Sequence, residues 1–257
     1  ERLGLYYVEK GASQRASKVI YDRKYSSISM ADLKDFDWDG IFSNAGWFHF
    51  TGITPALSDN CAAICEQACK EAKARGITVS CDLNYRKNLW SSEKAGAVMA
   101  RLMPYVDVCI ANEEDCEKVF GIKAAQTDIK SGKLSREGYQ EVAEKLSSKF
   151  DIPTVAITLR GSISASENTW AALLYKDGQP YFSKEYRIHI VDRVGGGDSF
   201  GGGLIYALSE GFSNPDVIEF AVAASALKHT IEHDFNEVTV AEVQALMGGD
   251  GSGRVQR

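Results

Sequence analysis

From about Leu57 to Leu159 the sequence keeps changing period. Stretches with apolar residues every three to four positions alternate with short continuous apolar runs. That alternation restricts the chain to an α/β fold whose mostly parallel sheet is covered by helices on both faces. The spacing predicts a helix over Leu57–Arg75 and, after Gly76, a strand over Ile77–Asp82. A helix over Glu93–Met103, a strand over Val106–Ile110 and a helix starting at Asn112 follow, with asparagine as its cap. Past a polar insertion at Thr127–Arg136 come a helix to Phe150 and a strand over Thr154–Leu159. Trp170–Tyr175 and Tyr181–Tyr186 flank Lys176–Gln179 and read as a hairpin. Helices near Asp198–Ser209, Asn214–Thr230 and Val240–Met247 end the pattern. Ahead of it lie strand-like segments at Leu3–Val8 and Lys18–Arg23, with short strands or strand ends at Ile41–Ser43 and Trp47–Phe50.

With 257 residues, 44% hydrophobic and 25% charged, the chain can bury one large core or two modest ones. A net charge of −6 speaks against nucleic acid or an anionic membrane as the main partner. No run of about 18 apolar residues occurs. The opening residues Glu1–Tyr7 lack the plan of a signal peptide, so the expected location is cytoplasmic. Of the six cysteines, Cys61, Cys65 and Cys69 fall at helical spacing, while Cys81 and Cys109 lie in strand-like runs. They read as small buried hydrophobes in a reducing compartment. Three thiols along one helix lack the paired spacing and fourth ligand of a structural zinc site.

In open α/β sheets ligands sit beyond the carboxyl ends of the strands. Four segments are expected there: Asp82–Arg86, Asn112–Asp115, Arg160–Ser162 and Asp192–Asp198. In the last, Gly195–Gly203 crowds six glycines around Asp198 and runs into a helical pattern marked by Phe200, Leu204 and Leu208. Gly201, Gly202 and Gly203 together cost the helix about 3 kcal/mol relative to alanine. Either a neighbouring element or ligand needs the missing side chains, or the preceding turn needs φ values that glycine adopts easily. With Gly195–Gly197 as that turn, N–H groups at the helix start would face an anion. Asp198 beside such a site suits a general base. The alternative is a tight strand-to-helix turn with an acidic cap.

The run Asp192-Arg193-Val194-Gly195-Gly196-Gly197-Asp198-Ser199-Phe200 resembles the second signature of the ribokinase-like carbohydrate kinases, in which Asp-Thr-x-Gly-Ala-Gly-Asp forms an anion hole and supplies the base. Three supporting motifs occur in family order. Asp82-Leu83-Asn84-Tyr85-Arg86 is similar to Asp-x-Asn-x-Arg, Asn112–Asp115 to the magnesium-site Asn-x-x-Glu, and Ile157–Gly161 to the strand and loop against the nucleotide. With Tyr6, Tyr21 and Arg23 upstream, the resemblance is greatest to 2-keto-3-deoxygluconate kinases. It implies a three-layer αβα sandwich with a small β lid formed in part by residues 1–30, an α/β core over 31–247 and a loose tail over 248–257. It also implies ATP and Mg²⁺ as cofactors, a sugar acid as acceptor and a homodimer through the lid.

In an extended segment Tyr21 and Arg23 project to one face, as do Asn84 and Arg86. Two guanidinium groups suit a substrate carboxylate, which arginine grips through parallel hydrogen bonds. Surface salt bridges for the arginines and core positions for the tyrosines are the alternatives. Carried over by resemblance, Asp198 is the base and Gly195, Gly196 and Gly197 the anion-hole donors. Tyr6, Tyr21, Arg23, Arg86 and Asp234 bind the sugar acid. Asn84, Arg86, Thr158, Arg160, Gly161, Ser162, Gly195 and Gly197 border ATP, and Asn112 and Asp115 reach Mg²⁺ through water. Three departures from the family pattern stand out. Asp115 replaces Glu, which could move the metal contact to Glu114; Arg193 replaces Thr, which weakens the case for a monovalent cation at Asp192. The family's opening strands and Gly-Gly-x-x-x-Asn segment have no counterpart, so an N-terminal portion is expected to be absent from these 257 residues. A nucleotide-binding oxidoreductase is disfavoured by the lack of Gly-x-Gly-x-x-Gly in a first βαβ unit. A catalytically silent homologue and a fructokinase- or ribokinase-type enzyme remain alternatives.

Overall fold

The computed structural model describes residues 2–124, 135–249 and 251. Most of the polar insertion expected at Thr127–Arg136 and of the tail expected over 248–257 lies outside the described residues. The chain opens with strands β1 (Leu5–Glu9) and β2 (Lys18–Asp22), which form a two-stranded sheet. Next come α1 (Trp38–Phe42), β3 (Trp47–Thr51), α2 (Ile53–Ala56), α3 (Asp59–Ala74), β4 (Thr78–Asp82), α4 (Ser92–Leu102), β5 (Val108–Ala111), α5 (Glu113–Phe120) and α6 (Arg136–Phe150). Then follow β6 (Thr154–Ser162), β7 (Glu167–Lys176), β8 (Gln179–Phe182), β9 (Tyr186–His189), α7 (Gly196–Ser209), α8 (Asn214–Lys228) and α9 (Val240–Met247). The larger sheet runs β3-β4-β5-β6-β7-β8, with β9 beside β7. Pairing is parallel from β3 through β6 and antiparallel between β7 and β9. The class is therefore α/β with a mostly parallel sheet flanked by helices.

Two compact units divide the chain. The first comprises Glu1–Glu9, Val19–Ile157 and Tyr175–Gln179. Its strands β4 and β5 are almost wholly buried, as expected of parallel strands covered on both faces. On α3 the buried residues Cys61, Ile64, Cys65, Ala68, Cys69 and Ala72 form one stripe, so the four-residue cysteine spacing places thiols in the core. The Ser58, Ser91 and Asn112 side chains cap α3, α4 and α5 by accepting a backbone N–H, which ends each preceding loop at a fixed residue. The second unit comprises Lys10–Lys18, Thr158–Leu174 and Pro180–Arg257. Its core centres on the fully buried Phe200, Leu204 and Ala207 of α7 and Val217, Ile218 and Ala221 of α8. A Cβ on Gly203 would lie 3.1 Å from the Ala221 Cα, so glycine lets these two helices approach closely.

Four expectations change. Ile41–Ser43 is not a strand: Asp37 accepts from the Gly40 N–H at 3.2 Å and starts α1, and Trp38 stacks on Phe42. Strand β6 continues through Arg160, Gly161 and Ser162, which lie within the strand rather than beyond it. The second arm of the hairpin splits into β8 and β9, because Lys184 N–H donates to Glu219 at 2.9 Å and turns the chain toward α8. Finally, α7 begins at Gly196, two residues before Asp198. The hairpin turn itself has Asp177 and Gly178 at φ 53° and 71°, the positive pair that matches strand twist. No helix among the described residues is long and apolar enough to cross a membrane.

Candidate active site

In the first unit the carboxyl end of β4 leads into a loop fixed from several sides. Gly52 N–H donates to Asp82 O at 2.8 Å, and a Cβ on Gly52 would collide with the Leu83 carbonyl. The Asp82 carboxylate accepts from Asn84 N–H at 3.0 Å, while the Asn84 amide donates to Thr51 Oγ1 at 3.1 Å. These bonds hold Asn84 at φ 38°, a left-handed conformation that costs a non-glycine residue of order 1 kcal/mol or more. Arg86 is exposed at the end of the loop, with its guanidinium donating to Tyr85 O at 3.3 Å.

Asp115 comes to this loop from α5. It is buried, and its carboxylate accepts from Tyr85 N–H at 3.2 Å. Burial pushes its carboxyl up to about 7 against the opposing pull of the Arg86 charge and the Tyr85 N–H. Asn112 accepts from Asp115 N–H at 2.7 Å, so its side-chain oxygen serves first as the α5 cap. Glu114, the alternative metal contact, is exposed. Asn112 and Asp115 thus meet, but among the described residues no three His, Cys, Asp or Glu side chains form a metal-binding group.

On β1 and β2 the rings of Tyr6 and Tyr21 lie 6.5 Å apart, and the Arg23 guanidinium sits 4.3 Å from the Tyr21 ring centroid. The tyrosines are 40% and 43% exposed and so lie outside the core that the described residues form. Neither Arg23 nor Arg86 forms an ion pair among the described residues, so the salt-bridge alternative finds no partner.

In the second unit the glycine run is held by contacts from α8 and the loop after it. Gly195 has φ 79°, and a Cβ there would collide with the Asp234 carbonyl. A Cβ on Gly196 would lie 2.5 Å from the His229 ring, while Ser225 Oγ donates to Gly196 O at 2.7 Å. Around Gly197 nothing approaches within 4 Å of a built Cβ. Of the expected three-residue turn only Gly195 is left-handed; Gly196 and Gly197 are the first residues of α7. Asp198, on that first turn, is exposed and makes no side-chain hydrogen bond among the described residues. Asp234 is exposed in the loop after α8, and its carbonyl packs on Gly195.

On β6, Thr158 and Gly161 are half-buried, whereas Arg160 and Ser162 are exposed. Gly161 leaves room for the Thr169 hydroxyl, into which a Cβ would run. An open cavity of about 360 Å³ lined by Ser27, Ile28, Met30, Ala31, Asp35 and Phe36 contains none of these candidates.

Three residues essential to this geometry escaped the sequence reading. Lys228 is fully buried and donates to Ile231 O and His233 O at 3.2 and 2.7 Å, fixing the loop that carries Asp234. Burial lowers its ammonium pKa while Asp192 and Asp234 oppose that shift. His229 is buried against Trp170 with Nδ1 2.7 Å from Ser225 O. The carbonyl can only accept, so Nδ1 carries the hydrogen, and burial lowers the ring pKa. Lys10 pairs with the buried Asp192 at 2.8 Å. A lysine and a histidine closing the largely apolar α8 stripe were the available signal for the first two.

Residues 1–232 match the pfkB family carbohydrate kinase model. The chain is 31% identical over 252 residues to a 2-dehydro-3-deoxygalactonokinase of Haloferax volcanii, an alignment covering 98% of this chain and 72% of that protein. It is 28% identical to a 2-dehydro-3-deoxygluconokinase of Thermoproteus tenax, covering 87% of this chain and 61% of the relative. The crystal structure of a 2-dehydro-3-deoxygluconokinase from Thermotoga maritima aligns with a TM-score of 0.92 at 52% identity, covering 97% of this chain and 74% of that one. With the glycine run and its carboxylate at the start of α7 and the two polar strand ends in the first unit, these similarities establish that the chain belongs to the pfkB family of carbohydrate kinases.

Proposed function

We propose that the protein transfers a phosphoryl group from ATP to the terminal hydroxyl of a 2-keto-3-deoxy sugar acid, forming 2-keto-3-deoxygluconate 6-phosphate from 2-keto-3-deoxygluconate. The observation that carries the reading is the open first turn of α7. Gly197 has unfilled space where a side chain would stand, beside an exposed carboxylate that makes no side-chain hydrogen bond among the described residues. Backbone N–H groups of Gly195 and Gly197, joined by that of Gly196 in place of its 3.4 Å bond to Arg193 O, would hold the transferring phosphoryl group, aided by the positive end of the helix. Asp198 would accept the hydroxyl proton as the acceptor oxygen attacks phosphorus. Positioning and charge neutralisation supply most of the rate in such transfers.

Tyr6, Tyr21, Arg23, Arg86 and Asp234 are assigned to the sugar acid. The guanidinium groups of Arg23 and Arg86, which form no ion pair among the described residues, suit its carboxylate, a group that neutral sugars lack. Asn84, Arg86, Thr158, Arg160, Gly161, Ser162, Gly195 and Gly197 are assigned to ATP. Mg²⁺, when bound, neutralises charge on the phosphate oxygens. One buried carboxylate, Asp115, next to Asn112 fits an ion held mainly by phosphate and water, not by a protein cage. The exposed Leu5, Tyr7 and Ile20 on a two-stranded sheet favour a homodimer through that sheet. Six free, buried cysteines fit a reducing, cytoplasmic setting.

The test is ADP release measured with 2-keto-3-deoxygluconate, 2-keto-3-deoxygalactonate, fructose, ribose and no sugar. Turnover confined to the keto-deoxy acids and abolished in Asp198→Asn is expected. Equal rates with fructose would replace the substrate assignment, and full turnover by Asp198→Asn would remove the base assignment. Sedimentation at micromolar concentration tests the dimer.

A further inference from the structure

The segment between β1 and β2 forms a small, internally braced loop. Gly11 N–H donates to Ser17 Oγ at 3.0 Å, Arg15 N–H to Ala12 O at 2.9 Å, and the Arg15 guanidinium to Lys10 O at 2.7 Å. A Cβ on Gly11 would run into the Arg15 carbonyl, so the brace requires glycine there. Within the second unit this loop is anchored at two points. One is the turn between β6 and β7: Ala165 N–H donates to Ser13 O at 2.8 Å, and Ser13 N–H donates to Ser166 Oγ at 3.0 Å. The other is Asp192, whose carboxylate meets Lys10 Nζ at 2.8 Å.

Those anchors are themselves connected. The Arg193 guanidinium donates to Ala165 O at 2.9 Å, and Ile190 N–H donates to Ser166 O at 2.8 Å. The braced loop, the β6–β7 turn and residues 190–193 therefore close a ring of hydrogen bonds. Asp192 is the member that faces the glycine run. Its carboxylate is 5% exposed and also accepts from Val194 N–H at 3.1 Å, one residue before Gly195. A carboxylate so buried needs a cation, and Lys10 is its ion-pair partner in this ring. The half-exposed lysine can be changed without opening the core.

We propose that Lys10 is a positioning residue for phosphoryl transfer: its ion pair with Asp192 holds the Asp192–Gly195 turn, and through it the N–H groups of the glycine run, in register. The role rests on the phosphotransferase reading above. Lys10 touches neither acceptor nor reacting atoms in that reading; it acts through Asp192 and the Val194 N–H. Removing the ammonium leaves Asp192 with the longer-range charge of the buried Lys228 and no contacting cation, so its carboxylate can turn toward water and release the Val194 N–H. The first turn of α7 then loses its fixed entry. A displacement of about 1 Å at a reacting centre costs roughly 100-fold in rate.

The experiment compares wild type with Lys10→Met, Lys10→Arg, Asp192→Asn and the double variant Lys10→Met/Asp192→Asn, after melting curves show each to be folded at the assay temperature. Amide hydrogen exchange over residues 190–197, without substrate, is the first measurement. Steady-state kinetics with ATP and 2-keto-3-deoxygluconate is the second. In Lys10→Met the Val194 amide is expected to exchange about tenfold faster or more, and kcat to fall roughly 10- to 100-fold with both KM values within about twofold. Lys10→Arg should restore most of both, and the double variant should be no slower than Asp192→Asn. Unchanged exchange in Lys10→Met overturns the proposal, as does wild-type kcat despite faster exchange. A wild type that phosphorylates no sugar acid would refute the functional reading alone. The exchange measurement would still decide whether Lys10 holds the turn.

Discussion

Asp115 carries a stability cost that should be visible as a function of pH. Its carboxyl titrates near neutrality, pushed up to about 7 by burial against the opposing Arg86 charge, whereas an unfolded aspartate titrates near about 3.9. Below about pH 4 both states hold the proton and there is no penalty. As the pH rises toward 7, the unfolded chain gives up the proton and the folded one keeps it, so folding loses about 1.4 kcal/mol per pH unit. The full penalty, reached above about pH 7, is on the order of 4 kcal/mol. In Asp115→Asn the amide oxygen can still accept from Tyr85 N–H but cannot ionise. The variant's advantage over wild type should therefore grow by about 2 kcal/mol between about pH 5 and about pH 6.5. At about 2–4 °C per kcal/mol that is a divergence of about 4–8 °C in melting temperature.

The assay is thermal denaturation of both proteins across that window in EDTA, without nucleotide. Comparing the two removes the acid sensitivity that they share. Arg86→Gln provides an internal control, because losing the guanidinium should carry the wild-type transition to higher pH. A melting-temperature gap that stays constant from about pH 5 to about pH 8 would refute the reasoning, since a pH-independent gap reports packing and not a proton. Under the proposed function the stabilised variant pays with activity. Asp115→Asn should lose its Mg²⁺ response even though it melts later.

Other outcomes follow from the same geometry. Gly196→Ala should lose about 1–3 kcal/mol, because its Cβ meets the His229 ring at 2.5 Å. Gly197→Ala, with nothing within 4 Å, should match or exceed wild-type stability by up to about 1 kcal/mol. Its kcat should nevertheless fall, so equal activity in Gly197→Ala would argue against a phosphate lying there; melting curves beside ADP release separate the two effects. Asp198→Asn should reduce kcat about 100- to 10,000-fold with little change in melting temperature. Since all six cysteines are free and buried, a thiol reagent should label none within minutes in the native protein and six after denaturation.

Much of this arrangement was legible because its determinants are local. Asn112 signals its helix by residue type and position, and the Val240–Met247 helix coincides with the expected range because Thr239 and Glu242 form a reciprocal cap. Local signals also explain the misses. Ile41–Ser43 is three residues long, too short for a period to separate helix from strand, and Asp37, which decides it, lies outside the triplet. Arg160–Ser162 ends an apolar run, yet the strand continues there because backbone pairing needs no apolar side chains. Lys10 and Asp192 are 182 positions apart, and no pattern read along the chain connects them.

The glycine run shows how one sequence feature can answer several physical demands. Its spacing raised a single question, what requires the missing side chains, and different positions give different replies. Gly195 needs a left-handed backbone and room for the Asp234 carbonyl; Gly196 makes way for the His229 ring; Gly203 lets α8 approach. Those three are explained by the protein's own packing and would be needed in a catalytically silent relative. Gly197 and Gly202 are exposed with open space around them, so packing requires neither, and nothing in the structure explains Gly202. Gly197 differs in lying on the first turn of α7, one residue before a carboxylate with no partner among the described residues. A helix that accepts a glycine's cost at that place, without using the space for its own atoms, leaves the space to a ligand. The functional argument therefore rests on Gly197 and Asp198, and Gly195 and Gly196 are the means by which the fold brings them to the surface.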